Sequence, residues 1–432
     1  MAVGLFAFMK PSSFLSLDRI RFLIQRIRER LWVKPLALCV LSVGGVFLAK
    51  LAEGAPFAGS LPEVSLGSVE SLLSVMASSM LVIATFAVGS MVAAYASASA
   101  AATPRSIPLV IADDVIQNAL SAFVGAFIFS LVALIAVKND YFQGAGLFTI
   151  FALTVWVFGI VIITFVRWVD RIARLGRVVN TIERVEESTA EALARRRRAP
   201  TLCATPLRDV RAQGQPLMCS RVGYVQHVDL ATLQDCAEAQ SARIEVVVLP
   251  GTFASPDRVL AYVEAEGAID EEPLRAAFTI GRTRTFEDDP RFGLVALSEI
   301  ADKALSPGVN DPGTAIDVIG TLVRLFTLWR RPLEQGEQAA TRYDRVWVPE
   351  LSVDDLFDDA FTAIARDGAG IAEVAIRLQK ALCALAAQED QAMVRAASRH
   401  SRLALARSDH AMDLAEDRAA VRAVALSETV DI

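Results

Sequence analysis

Between Gly281 and Trp329 the chain gathers charged side chains around two Asp-Pro steps, Asp288-Asp289-Pro290 and Asn310-Asp311-Pro312. An aspartate directly before proline is suited to start a helix. Its carboxylate accepts from N–H groups that have no helical partner, and proline supplies a preset φ while giving up only an orphan donor. Helices are therefore expected to begin at Pro290 and Pro312. If the two starts converge in space, their N–H groups together with Arg282, Arg284 and Arg291 offer a seat for an anion. Glu299 and Asp302, one turn apart on one helical face, offer oxygen ligands to a cation together with Asp311. Asp288, Asp289, Asn310 and Thr314 complete this candidate ligand or gating set. The competing expectation for the same residues is helix capping plus surface acidity.

Covalent or hydrolytic chemistry has no foothold in the sequence. There is no G-x-S-x-G, no P-loop, no H-E-x-x-H and no Cys/His pairing, so no catalytic residue is assigned and no enzyme is expected. The five cysteines, Cys39, Cys203, Cys219, Cys236 and Cys383, form no C-x-x-C pair and are expected as free thiols. The spacing of Cys203, Cys219, His227 and Cys236 fits no usual zinc knuckle, so no metal is expected. His400 and His410, ten residues apart, do not share a helical face and are expected at the surface.

The elements that must position these residues fall into two halves. Four long, nearly charge-free apolar stretches lie between Trp32 and Trp168, near Pro35 to Leu51, Leu72 to Tyr95, Ala119 to Val137 and Leu147 to Trp168. A bilayer core about 30 Å thick takes roughly 20 apolar helical residues, so each stretch is long enough to span. Trp32 and Trp168, with Tyr95 and Tyr141 as weaker markers, are expected at the membrane interface. The first stretch follows a basic leader and lacks a convincing cleavage site, which reads as a retained anchor and not a signal peptide.

Lys10, Arg19, Arg21, Arg26, Arg28, Arg30 and Lys34 precede the first span, and Arg167, Arg171, Arg174 and Arg177 follow the last, whereas Glu53 to Glu70 has no Lys or Arg. That asymmetry predicts cytoplasmic termini. Phe14, Leu17, Ile20, Leu23, Ile24, Ile27 and Leu31 recur at helical spacing among the leader's arginines, as in a helix lying along an anionic leaflet. The chain as a whole is 53% hydrophobic with mean hydropathy +0.41 and a net charge of -6, which conceals a basic membrane edge and an acidic soluble part. An acidic balance argues against nucleic acid.

No ionisable side chain lies deep in any span, which disfavours a proton relay. The second span instead carries small residues at four-residue spacing, Gly89, Ala93, Ser97 and Ser90, Ala94, Ala98. The third repeats the spacing at Ser121, Gly125 and Ala122, Ala126. Small residues let helices approach closely, and they also suit a pore lined by hydroxyls; Gly89, Ser90, Ala93, Ala94 and Ser97 are candidates for either role.

Beyond the last span, Ile172, Leu175, Val179 and Ile182 make an apolar stripe that fades at Glu186 and Thr189, so a connecting helix is expected to end near Arg195-Arg-Arg-Arg198, a solvated or lipid-facing end. An α+β stretch follows. Strands are expected at Arg221 to Asp229, Arg243 to Leu249 and Arg258 to Glu264, with a helix around Ala231 to Gln240 and a turn at Pro250-Gly251. A small barrel or sandwich suits this pattern; its outline resembles lipoyl-type modules, but no lysine sits at a hairpin tip, so no cofactor is expected. From Asp354 onward the chain is Ala-rich and helical, with helices expected from Val353 to Arg366, Ile371 to Ala386 and across the segment to Leu426, and with Phe357, Phe361, Ile364, Ile371, Val374 and Leu378 forming an apolar face.

At these residues a resemblance emerges. Arg284-Thr-Phe-Glu-Asp-Asp-Pro-Arg-Phe-Gly-Leu294, Ser298-Glu-Ile-Ala-Asp-Lys-Ala-Leu-Ser-Pro-Gly-Val-Asn-Asp-Pro-Gly-Thr-Ala315 and Gly223-Tyr-Val-Gln-His-Val-Asp229 resemble signature stretches of a bacterial family of predicted integral membrane proteins built around a domain of unknown function. Ser97-Ala-Ser-Ala-Ala-Ala-Thr-Pro-Arg105 and Gly125-Ala-Phe127 fit the same pattern, and the likeness runs over roughly residues 30 to 390. It implies a bacterial inner-membrane protein with a cytosolic domain, and brings no activity, substrate or catalytic residue.

The fold class expected is integral membrane: a four-helix transmembrane unit, then a cytosolic α+β domain and an α-helical C-terminal part. Boundaries are set at 1–31 for the basic leader, 32–169 for the spans, 170–200 for the connecting helix, 201–285 for the β-rich part and 286–432 for the helical part. The first functional expectation is a homo-oligomeric channel or pore with a cytosolic gating or sensing domain. The alternative is a non-conducting sensor or scaffold. The partners expected are the lipid bilayer, further copies of the chain and an ion or small ligand, without nucleic acid.

Overall fold

The computed structural model describes residues 33–51, 62, 64–101, 103–107, 109, 114–174, 178–209, 213–334, 336–387 and 390–426. The basic leader lies outside them. The chain divides into two compact units, one over Leu23–Thr181 and one that includes Ile182–Ile432.

The first unit contains four helices long and apolar enough to cross a membrane. They are α1 (Val33–Leu51), α2 (Leu66–Ala101), α3 (Asp114–Lys138) and α4 (Gly144–Arg174). All four expected spans are present, and α2 is longer than expected, at 36 residues. Helix α3 is the hub on which α1, α2 and α4 all pack. Its buried stripe, Ala119, Phe123, Ala126, Phe129, Ala133 and Val137, recurs every three or four residues, so one face turns inward. Gly125 explains the closeness of α1: a Cβ there would come within 2.7 Å of Leu38 Cδ2. Lys50 Nζ donates to the Tyr141 carbonyl and lies 5.0 Å from the Tyr141 ring centroid, which brings the C-terminal ends of α1 and α3 to one side. Trp168, near the C-terminal end of α4, is 2% exposed and packed among Phe86, Phe123 and Phe165.

The second unit begins with α5 (Val178–Arg198), which straddles the division in the chain. Then come β1 (Ala204–Pro206), β2 (Gln215–Met218), β3 (Gly223–Val228), α6 (Leu230–Ala239), β4 (Arg243–Val246), β5 (Phe253–Ala254), β6 (Val259–Glu264), α7 (Glu271–Ala276) and β7 (Phe278–Gly281). The helices α8 (Pro290–Leu305) and α9 (Pro312–Arg330) follow, then β8 (Tyr343–Val348), and finally α10 (Val353–Asp367), α11 (Ala372–Ala386), α12 (Gln391–Ala411) and α13 (Ala415–Arg422).

The strands form a five-stranded sheet in the order β1-β8-β4-β6-β2 and a three-stranded sheet in the order β5-β3-β7. Val225 and Val228 of β3, Ala254 of β5 and Phe278 of β7 share one apolar core with Ile244, Val246, Leu260 and Val346 of the larger sheet. Strand β8 pairs parallel with both β1 and β4, so the chain returns to the sheet after α8 and α9. The helical layer buries Phe326, Phe357 and Phe361 against one another, with ring centroids 4.5 to 5.5 Å apart. His400 joins this cluster, 2% exposed and 5.9 Å from the Phe357 ring, where a surface position was expected. Its Nε2 lies 3.0 Å from Asp358 Oδ1, and burial pushes the imidazole pKa down.

Candidate functional site

Both Asp-Pro steps start helices. Asp289 caps α8, accepting from the Phe292 N–H at 3.2 Å, and Asp311 caps α9, accepting from the Thr314 N–H at 3.1 Å. They do not converge. The Asp311 N–H donates to the Ala304 carbonyl in the last turn of α8, so the second start lies one helix length from the first. For the 16 residues of α8 that is about 24 Å. The candidate set therefore splits into two neighbourhoods.

The Asp289 neighbourhood is buried and convergent. Asp289, 2% exposed, receives Arg284 Nε at 2.6 Å on Oδ2 and Arg284 Nη2 at 2.9 Å on Oδ1, a bidentate pair. Burial raises its carboxyl above the ordinary range against the opposing pull of Arg284 and the Phe292 N–H. The Pro250-Gly251 turn closes over it: Gly251 sits at φ +95, and a Cβ there would lie 2.3 Å from Asp289 Oδ2. One residue earlier, Asp288 Oδ2 meets His227 Nδ1 at 2.6 Å. Thus Gly223 to Asp229, Pro250-Gly251 and Arg284 to Leu294, far apart in sequence, meet at one point.

Helix α5 supplies what the sequence reading passes over. Its buried stripe continues through Val185, Thr189, Ala192 and on to Arg196, which is 3% exposed and not at a solvated end. Thr189 packs so closely on α8 that a Cβ on Gly293 would fall 1.8 Å from Thr189 Oγ1. From that anchorage Arg195 Nη2 donates to the Glu287 carbonyl at 2.5 Å, Arg196 Nη2 to the Asp288 carbonyl at 3.3 Å and Arg197 Nη1 to the Leu328 carbonyl. The arginine run thus holds main chain. Burial lowers the Arg196 pKa to about 10, with Asp288 and Asp289 opposing the shift, so the side chain stays protonated at neutral pH.

Of the remaining candidates, Arg291 is half-buried and engaged with two carboxylates. Its Nε donates to Asp359 Oδ2 and its Nη1 to Asp355 Oδ2, both at 2.6 Å, which ties α8 to α10. Arg282 is exposed. At the far end of α8, Asp302 Oδ2 receives Arg366 Nη2 at 3.1 Å, and Arg366 also grips Asp367. Burial, the Asp367 carboxyl and the charge of Glu299 push Asp302 up to about 7, against the opposing pull of Arg366. Asp311 is exposed, hydrogen-bonds Thr314 Oγ1 at 2.6 Å and has its pKa lowered by that bond and by the Thr314 N–H. Asn310 beside it adopts φ +50, the left-handed turn that leads into the cap. Among the described residues no three His, Cys, Asp or Glu side chains are grouped to hold a metal.

In the membrane unit the two rows of small residues have different surroundings. On α3, Gly125 and Ala126 face α1 and the core. On α2, Gly89 and Ala93 are exposed, with nothing within 4 Å of a Cβ placed on Gly89, while Ser90 and Ala94 are half-buried. Ser97 lies in α2, its side chain outside the described residues. The buried face of α2, Val69, Leu73, Met76, Met80, Ala84 and Ala87, lies elsewhere on the helix. Exposed with Gly89 are Ser71, Ser74, Ser78 and Thr85, spaced 3, 4, 7 and 4 residues apart along one stripe. Ser78 Oγ returns to the Ser74 carbonyl at 3.0 Å and Thr85 Oγ1 to the Leu81 carbonyl at 2.8 Å.

Four helices long and apolar enough to cross a membrane, followed by a mixed α/β region and C-terminal helices, are the architecture of a multi-span membrane protein. The chain belongs to the DUF2254 family of predicted membrane proteins, whose model matches residues 28–384. Among proteins it is similar to, an uncharacterized protein of Mycobacterium bovis and one of Mycobacterium tuberculosis are each 34% identical over 116 residues, covering 25% of this chain and 22% of the relative. The match thus spans about a fifth of those relatives' length. No solved structure matches the chain.

Proposed function

We propose that the protein is a homo-oligomeric channel or pore of the bacterial inner membrane, with cytoplasmic termini and a cytosolic unit that gates or senses. The observation that carries this reading is the hydroxyl and glycine stripe on α2, Ser71, Ser74, Ser78, Thr85 and Gly89, which is exposed among the described residues. Small-residue helix faces pack against other helices, and rows of hydroxyls suit a polar path. A second copy brought against α2 by symmetry meets both needs, since four spans with no deep ionisable group do not readily enclose a path within one chain. The orientation rests on the Lys and Arg excess at the two ends of the membrane segment.

A non-conducting sensor or scaffold is the second reading. It is favoured by the way Ser78 and Thr85 bond back to their own helix, which leaves the stripe compatible with lipid, and by the buried polar cluster around Asp288. Native mass spectrometry of the full chain in nanodiscs separates the two at the first step. A symmetric oligomer that dissociates on Gly89→Leu is the expected result, and a monomer at every concentration ends the channel reading.

A further inference from the structure

Beside the buried Asp-Pro start lies a cavity of about 370 Å³, within the range of small-ligand sites. Its wall includes Arg195, Arg196, Cys203, His227, Asp288 and Tyr343. Arg196 is the unusual member. Arg284, Arg291, Arg324 and Arg422 each reach a carboxylate. Arg196, 3% exposed, makes no ion pair with a carboxylate among the described residues, and its Nη1 has no hydrogen-bond partner there. Among the described residues its side chain makes one bond, the 3.3 Å contact from Nη2 to the Asp288 carbonyl.

Three acids, Asp229, Glu287 and Asp288, also line the cavity, and two of them are engaged elsewhere. Asp288 holds His227 at 2.6 Å, and Asp229 caps α6 through the Thr232 N–H at 3.1 Å and Thr232 Oγ1 at 2.9 Å. A buried guanidinium that keeps its charge and spends one donor on a long carbonyl contact is costly, and an oxyanion is the group that removes the cost, because it accepts two parallel N–H bonds. We propose that this cavity binds a small molecule through its phosphate or carboxylate group, with Arg196 as the charged anchor and Arg195 as a second donor at the wall. The polar wall at His227 and Tyr343 faces the remainder of such a ligand. In chain order the anchor stands on α5, the first element after the last span, and the inference does not depend on conduction.

The test uses the full chain in detergent, with inorganic phosphate and acetate as probes and chloride at matched ionic strength as reference. Two readouts are taken: the unfolding midpoint, and the rate of iodoacetamide modification at Cys203, followed by peptide mass beside the other four cysteines. At least one probe is expected to raise the midpoint saturably and to slow modification at Cys203 alone, and which probe acts distinguishes phosphate from carboxylate ligands. Arg196→Gln should weaken that probe at least tenfold. Ala192→Leu, which leaves Arg196 in place and fills the cavity, should do the same and decides the matter if Arg196→Gln does not fold. Equal binding to wild type and to whichever variants fold overturns the proposal, and so does the absence of saturable protection by either probe.

Discussion

Two Asp-Pro steps, 22 residues apart, give the same local structure and very different surroundings. Asp289 and Asp311 each cap a proline-led helix through the N–H three residues on, and the similarity ends there. Around Asp289 a second carboxylate, two arginines, a histidine and a glycine turn come from α5, β3, the β4–β5 connection and the loop before α8. Around Asp311 the side-chain partner is Thr314, three residues away in its own helix. Capping is a property of the local sequence, whereas a site is a property of what the fold delivers to the cap. The contrast predicts a graded series of mutational effects.

The largest effect belongs to Asp289→Ala. It leaves Arg284 buried beside an empty position and removes the cap, so a loss of about 3 to 5 kcal/mol is expected in denaturant unfolding of the full chain. Arg284→Ala should cost about as much; a loss below about 1 kcal/mol for both would show that the pair is not the keystone of this end. Next comes Gly293→Ala, where the added methyl meets Thr189 and forces α5 and α8 apart, with an expected loss of about 1 to 3 kcal/mol. Thr189→Ser with Gly293→Ala should recover little, since the clash is with Oγ1 itself; Thr189→Ala with Gly293→Ala should recover more. Asp311→Ala, an exposed cap, should cost about 0.5 to 2 kcal/mol.

The smallest effect is a slope with pH at the Asp311 end of α8. Asp302 has a folded pKa of about 7, above its unfolded value, so its contribution to stability is complete below the ordinary carboxylate range and is lost as pH rises through about 7. Asp367 is shifted the other way, so its contribution is lost only as pH falls below the ordinary range. Between pH 5.5 and 8 the unfolding midpoint should therefore fall, and Asp302→Asn should flatten that decline. An unchanged slope in the variant would assign the titration to another group.

Much of the architecture is legible in the sequence because it is local. The four spans, strands β3, β4 and β6, helix α6 and the starts of α8 and α9 follow from apolar runs, alternation and Asp-Pro chemistry, and the structure shifts their ends by a few residues. What was not legible depends on distant chain segments. Arg196 belongs to the run Arg195 to Arg198, and a run of arginines reads as solvated. Yet Val185, Thr189, Ala192 and Arg196 keep helical spacing, and a stripe that admits one threonine and then one arginine was the available signal. His400 was misread for a similar reason: one histidine in a polar helix carries no mark of the Phe357 and Phe361 rings that bury it. Strand β8 returns to the sheet only after two intervening helices, a pairing that no local pattern announces. The separation of the two Asp-Pro starts follows from the length of α8, which the sequence contains and which makes their convergence geometrically difficult.

One measurement tests most directly the proposed conduction by the membrane unit, and with it the proposal that gating draws on the buried Asp-Pro end and not on the exposed one. Release of a small monovalent ion from sealed liposomes carrying the full chain measures both parts at once. Wild type should release ions, Asp311→Ala should do so in proportion to folded protein, and Asp288→Asn, which keeps the shape of the His227 contact and removes its charge, should change the rate severalfold in protein that stays folded and oligomeric. No release by oligomeric wild type, or equal rates per folded molecule in the two variants, would contradict the account.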